Sequence, residues 1–401
     1  MIKIAILKEE KKLSDKRVPF TPKQLKQIQE KFGSVVYCQS SKLRCFTDEE
    51  YMKEGIKVKD DVSNCDIFFG VKEVDKNKLI KGKKYLFFSH TIKKQAYNRS
   101  LLKKIIEKKI TLIDYECIRD VNNKRIISFG QIAGIVGSYN AILGYGKKLR
   151  LYKLKRCFQY KNYDELKHQC NKINLPTMKI LVLGNGKVAK GVIEMLSRMK
   201  IQEVDKKSFK RLGFSKAVYC QITSKDYYES KNGSKFSKTS FYNNPEKYKS
   251  NFKKYMENTD ILINATYWKK GIPRLFEINE INSKNFKIKV IADISCDIDG
   301  LIPCTQKSSS IQKPFYDYDP INNKVKKEFT NKKFISIMAI DNLPSELPKD
   351  ASENFGEQLI NHVVQPLIRK NDKHRDKIIN ATIAKKGQLC KKFVYLQDYI
   401  R

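Results

Sequence analysis

Two side chains stand where the sequence makes them conspicuous. Lys72 closes the apolar run "CDIFFGVK" and His90 closes "YLFFSH", and His90 alone of the four histidines ends such a run. An apolar strand that ends in lysine carries the amine toward a place where desolvation eases loss of its proton. Such a lysine can work as a base toward an amine. Imidazole is the side chain that exchanges its proton near neutral pH, so a histidine so placed can give and take protons in turn. Each residue also has a plain reading: Lys72 as a strand-end surface lysine, and His90 as a hydrogen-bonded structural histidine.

The elements that must position them follow from periodicity. "IKIAIL" (2–7), "SVVYC" (34–38), "CDIFFGVKE" (65–73), "KKYLFFSH" (83–90) and "ITLIDYE" (110–116) read as strands. Helical stretches separate several of them. In "RVPFTPKQLKQIQEKFG", Thr21 is placed to cap, Pro22 fits the first turn, and Leu25, Ile28 and Phe32 keep a helical period. Strands alternating with helices predict βαβ units and a parallel sheet. Ligands of such sheets bind at the carboxyl ends of the strands, and Lys72, His90 and Glu116 lie at or near three of those ends.

Further along, "MKILVLGNGKVAKGVIEMLSRM" (178–199) is an apolar strand, a glycine turn and an amphipathic helix. Gly184, Gly186 and Ala189 form G-x-G-x-x-A in that context, which predicts a dinucleotide-binding turn rather than an ordinary βα connection. An acid about 20 residues on would hold the ribose hydroxyls. Asp205 in "IQEVDKK" stands there, although Lys206 and Lys207 beside it suit a 2′-phosphate. NAD is the cofactor expected, with NADP possible. The Gly-rich stretch 130–149 predicts a helix packed closely against a neighbour. The polar, Tyr/Lys/Ser-rich stretch 206–258 reads as an insertion. Strands resume at 259–268 and 288–300, the second ending in Asp293, Ser295 and Asp297, and the closing residues read as a hairpin or short terminal element.

The bulk properties bound these readings. The 401 residues exceed one ordinary core and suggest two domains, with apolar residues at 41% to fill them. The start lacks the apolar core of a signal peptide, and no window is apolar enough for a membrane span. Ten cysteines are scattered without CxxC spacing and histidine is scarce, so no metal site is expected. Reduced thiols fit the cytoplasm. Lys plus Arg outnumber acids 81 to 43, a net +38. Because the lysines run the whole length and no nucleic-acid-binding motif appears, the charge reads as a lysine-biased surface rather than a nucleic-acid face.

Taken in order, "RVPFTP", "GVKE", "FFSHTIKKQ", "LIDYE", "FGQIAGIVG", "ATYWKKGIPRL", "ADISCDIDGLIP" and "IDNLPSELPKDASENFGEQL" resemble the lysine-forming saccharopine dehydrogenases. The nearest likeness is to the lysine–ketoglutarate reductase domain of bifunctional enzymes. That family is related to alanine dehydrogenase and transhydrogenase. The resemblance implies an α/β protein of two Rossmann-like domains with parallel sheets and an active-site cleft between them. Residues 1–130, completed by 345–401, would form the substrate domain, and 131–344 the NAD(P) domain with its insertion at 206–258. It implies reversible interconversion of saccharopine with L-lysine plus 2-oxoglutarate. Lys72 and His90 would be the acid–base pair, tuned by Glu73 and Glu116. Arg17 and Arg125 would bind substrate carboxylates, with Lys93 a further cation, and Asp293 and Asp297 would approach the nicotinamide. Partners would be these small molecules, for a monomer or homo-oligomer. An alanine-dehydrogenase-like enzyme acting on pyruvate and ammonium, and a basic nucleic-acid-binding protein on a dehydrogenase fold, are the alternatives.

Overall fold

The computed structural model describes residues 1–10, 15–210, 213–369 and 371–401. The chain divides into two compact units. The first comprises Met1–Phe129 and Pro348–Arg401, and the second Gly130–Leu347.

In the first unit, strands β1 (Lys3–Ile6), β2 (Val35–Gln39), β3 (Lys57–Lys59), β4 (Ile67–Phe69), β5 (Lys84–Phe87) and β6 (Thr111–Asp114) run parallel in the order β3-β2-β1-β4-β5-β6. The order reverses direction between β1 and β4, and a crevice opens at the carboxyl ends of such a pair. The helix Pro22–Phe32 begins as its sequence requires. Thr21 accepts from the Gln24 amide, the Gln24 side chain reciprocates, and Gly33 ends the helix with a left-handed backbone. The returning helix Pro348–Leu359 starts ahead of Asp350 and Ser352. Ser352 is buried inside it, where its hydroxyl donates to the Pro348 carbonyl and accepts from the Val18 amide. Its Phe355 stacks on Phe129 and packs against Phe88 and Tyr115. The last segment thus supports the strand ends that carry the candidate residues.

The second unit contains β7 (Lys179–Leu183), β8 (Gln202–Glu203), β9 (Val218–Ile222), β10 (Tyr228–Ser230), β11 (Tyr248–Ser250), β12 (Ile261–Asn264), β13 (Val290–Asp293), β14 (Phe315–Asp319), β15 (Lys324–Lys326) and β16 (Ile335–Met338). Its main sheet runs β15-β14-β16-β13-β12-β7-β9-β8, parallel except that β14 runs antiparallel to both its neighbours. The stretch 206–258 is therefore not simply an insertion. It supplies β9, which pairs with β7 along its whole length, and only β10 and β11 form a separate hairpin. The helix Gly130–Leu149 packs against the helix Lys187–Arg198 so closely that a Cβ on Gly134 would lie 2.0 Å from the Val188 carbonyl oxygen. Back in the first unit, β17 (Thr382–Lys385) and β18 (Gln388–Leu389) form an antiparallel hairpin that extends the sheet from β6.

Candidate active site

The carboxyl edge of the first sheet gathers the ionisable groups. Beyond β4 the chain continues as Gly70, Val71, Lys72 and Glu73. Glu9, just past β1, reaches across the crevice and accepts from the Val71 amide at 2.6 Å and the Lys72 amide at 3.0 Å. One carboxylate thus ties the two loops on either side of the switch point. Burial pushes the Glu9 carboxyl up to about 7, against the pull of those two donors. Asp15 and Arg17 face the same cluster, and the nearby Lys72 ammonium helps to stabilise the Asp15 carboxylate. Burial opposes the ionised form of Asp15, but the Arg17 guanidinium outweighs it and holds the carboxyl below its ordinary value.

The raised Glu9 group sets a pH dependence. Its folded-state value lies above that of an unfolded glutamate, so the folded state favours the protonated form. The stability this contributes is full below about pH 4.5 and is lost as pH rises toward about 7. Thermal melts between these limits should show a steeper decline for the wild type than for Glu9→Gln. Parallel slopes would show that Glu9 does not titrate in this window.

The residue at the end of β5 is held by a different device. His90 adopts a left-handed backbone, φ 53°, which is uncommon outside glycine and asparagine. Its turn is anchored by buried Asp114, at the end of β6. Asp114 accepts from the Ser89 amide at 3.0 Å and from the Ser89 hydroxyl. Ser89 is in turn 2.8 Å from the Thr91 hydroxyl. The other oxygen of Asp114 accepts from the Glu116 amide at 2.7 Å, so a single carboxylate fixes the turns bearing both His90 and Glu116. The apolar surroundings push the Asp114 carboxyl up. The His90 ring stacks beside Phe88, and its Nδ1 lies 2.8 Å from Glu73. Nε2 makes no hydrogen bond among the described residues.

Glu116 joins two cations. Its Oε1 lies 3.3 Å from Arg125 Nη1 and 3.5 Å from Lys93 Nζ. The Arg125 guanidinium covers the face of Phe88 and donates through Nε to the Ile127 carbonyl. Oε2 of Glu116 is buried and has no hydrogen-bond partner among the described residues. A carboxylate oxygen so placed is costly unless something donates to it.

Sequence reading placed Lys72, His90 and Glu116 at this edge, and the structure has them there, with Glu73 beside His90 and with Lys93 and Arg125 beside Glu116. Arg17 differs. It is 3% exposed, and its fork is engaged by Asp15, Nε to Oδ1 at 2.8 Å and Nη2 to Oδ2 at 2.6 Å. Its best carboxylate-binding face is already filled from within the chain. Glu9, Asp15 and Asp114 were missed. Glu9 reads as part of a charged run, and Asp114 as a residue of an apolar strand.

The second unit builds a different site at its switch point, between β7 and β12. Gly184 turns with φ 105°, and a Cβ there would lie 2.7 Å from the Ala265 carbonyl oxygen. Gly186 caps the helix Lys187–Arg198, and a Cβ on it would meet nothing within 4 Å. Open space before a helix N-terminus, with glycine on the approach and buried Ala189 behind, fits a pyrophosphate. These residues front a cavity of about 500 Å³.

Three other residues expected at the cofactor do not line this cavity. Asp205 follows the edge strand β8 rather than β9. It caps a short helix and accepts from the Lys207 and Ser208 amides and the Ser208 hydroxyl, which hold its carboxyl down at about 2. The strand beside β7 is β9, and the residues after it line the cavity while Asp205 does not. Asp293 is buried and accepts from Asn264, Ser295 and Thr305. Burial raises its carboxyl. It braces the sheet edge from inside. Asp297 begins the turn that the Gly300 amide closes. Neither lines the cavity.

Residues 5–136 match the family model for the alanine dehydrogenase/PNT N-terminal domain. The chain is 29% identical over 447 aligned positions to mitochondrial alpha-aminoadipic semialdehyde synthase of Mus musculus, covering 98% of this chain and 47% of that protein. It therefore spans about half the length of that relative. It is 26% identical to the NAD(+), L-lysine-forming saccharopine dehydrogenase of Emericella nidulans, covering 91% of this chain and 92% of that one. A solved L-alanine dehydrogenase superposes over the full length of both chains with a TM-score of 0.65 at 15% identity, which establishes the fold. No helix among the described residues is long and apolar enough to cross a membrane. The chain is thus similar over nearly its whole length to a lysine-forming saccharopine dehydrogenase, and it has the fold of alanine dehydrogenase.

Proposed function

We propose that the chain interconverts saccharopine with L-lysine and 2-oxoglutarate, using a nicotinamide dinucleotide. The observation that carries this reading is the grouping of Lys72, the Glu73–His90 pair and the Glu116–Arg125–Lys93 cluster at one sheet edge, with a buried Glu116 oxygen lacking a donor among the described residues. The likeness to saccharopine-forming relatives supports it.

Lysine's ε-amine must first lose a proton to attack the keto carbon of 2-oxoglutarate. Lys72 is the base for that step. The carbinolamine then loses water. His90 Nε2 protonates the departing hydroxyl while Glu73 steadies the imidazole through Nδ1. In the reverse direction the same nitrogen removes a proton from the attacking water. Glu116 Oε2 accepts from the substrate nitrogen, and its negative charge favours the cationic imine. Arg125 and Lys93 supply positive charge for substrate carboxylates, for which guanidinium is well shaped. Gly184, Gly186 and Ala189 hold the dinucleotide, which when bound supplies or accepts the hydride at the imine carbon. The test is the oxidation of NADH and of NADPH, followed spectrophotometrically, with lysine plus 2-oxoglutarate against ammonium plus pyruvate. The reading expects a rate with the first pair. A rate only with the second would replace it with an alanine-dehydrogenase-like activity.

A further inference from the structure

The turn that carries His90 is held rather than relaxed. The short helical turn Thr91–Lys93 is bounded by His90 and Lys94, both with a left-handed backbone at φ 53°. Residues other than glycine rarely adopt that conformation, and they keep it where the surrounding structure over-determines it. The tether here is Asp114. It pairs in register with Phe87, the last residue of β5, so it lies beside the point where the chain leaves the sheet toward His90.

One oxygen of Asp114 accepts from the Ser89 amide and hydroxyl, and the Ser89 hydroxyl oxygen accepts from the Thr91 amide at 3.3 Å. The other oxygen accepts from the Glu116 amide. The circuit closes on itself, because Lys93, at the far end of the turn, reaches back to within 3.5 Å of Glu116. Ser89, Thr91 and Asp114 are fully buried. These contacts require an acceptor on both oxygens. An amide would turn its NH2 toward one of the two arms and leave a buried N–H without a partner. The adjacent strands β4 and β5 end in Phe69 and Phe87, so the sheet itself does not require a buried carboxylate at this level.

We infer that Asp114, acting with Ser89, is a positioning residue for the proposed reaction. It fixes the His90 ring and the Glu116–Lys93 pair at one separation, so that the group that protonates the leaving hydroxyl and the group that accepts from the substrate nitrogen serve the same imine. The inference rests on the functional reading above.

Two variants of the full chain test it. Asp114→Asn keeps the volume and removes one acceptor, and Ser89→Ala cuts the arm that leads to His90. Kinetics with lysine, 2-oxoglutarate and dinucleotide give the first readout. Ser89→Ala should lower kcat by ~10-fold and Asp114→Asn by ~30-fold, with KM for lysine within ~3-fold of wild type, as expected when a reacting group is displaced rather than removed. In a His90→Gln background Ser89→Ala should cost less than ~3-fold, because the ring it holds is already gone. The second readout needs no turnover. The imidazole signals of the four histidines are followed by heteronuclear NMR. In both variants the His90 signals should shift and broaden, while those of His168 and His374 stay in place. Unchanged kcat in both variants, the full ~10-fold loss from Ser89→Ala in the His90→Gln background, or unmoved His90 signals would overturn the inference. Absence of saccharopine from the wild type would overturn the reaction reading instead, and the imidazole signals would still decide whether Asp114 holds the ring.

Discussion

His90→Gln is expected to lower kcat by on the order of 10²-fold or more in the direction that forms saccharopine, the usual scale for removing an acid–base group. Glutamine keeps a polar side chain of similar reach but cannot carry a proton to the leaving hydroxyl. Because the His90 side chain is 22% exposed and its turn is fixed by Asp114 through Ser89, the fold should survive the change. Thermal melting of the variant should lie within a few degrees of wild type. Lys72→Met should act on the same scale, and it leaves in place the backbone amide that Glu9 holds. Turnover measured across neutral pH checks both. Near-normal rates in both variants would show that the proton-transfer groups are misassigned.

Gly191→Ala is expected to be the most destabilising small substitution in the second unit. The added Cβ would lie 1.9 Å from the Gln131 carbonyl oxygen and 2.8 Å from its carbon. Both atoms belong to the backbone of the Gly130–Leu149 helix, so neither can move aside alone. The two helices must separate or the helix Lys187–Arg198 must shift. Overpacking of this kind costs about 3 kcal/mol, which for a unit of this size lowers the melting transition by roughly 10 °C. The shift would also disturb the glycine turn from which that helix starts, so dinucleotide affinity should fall with it. Calorimetry and the quenching of Trp268, the only tryptophan of the chain, on titration with dinucleotide measure the two effects. A variant that melts like wild type would mean that the helices are not in this contact.

Much of this was legible in the sequence because it is carried by local pattern. Each apolar run contains a strand, although 65–73 narrows to Ile67–Phe69 and 288–300 to Val290–Asp293; Thr21 and Pro22 begin their helix as read, and the glycine turn sits between strand and helix. The parallel sheet rule then put Lys72, His90 and Glu116 at one edge without any knowledge of contacts. What escaped was set by pairing across long separations. Glu9 acquires its role only from amides 62 and 63 residues downstream. Asp114 matters because Ser89, 25 residues earlier, turns back onto it. Asp205 failed for a topological reason. Counting about 20 residues from the turn finds the ribose acid only when the next strand lies beside the first, and here the next strand, β8, is at the sheet edge with β9 between. The pairing of Arg17 with Asp15, two positions earlier, was also not foreseen, because nothing in the local pattern marks it.

The central claim is that the edge bearing Lys72, His90 and Glu116 assembles and reduces an imine between lysine and 2-oxoglutarate. Its most direct test is to incubate the full chain with both compounds and NADH or NADPH, and to identify the product by mass spectrometry. The account predicts saccharopine from the wild type and on the order of 10²-fold less from His90→Gln. Absence of saccharopine with either cofactor, from protein shown to be folded and to bind the dinucleotide, would contradict it.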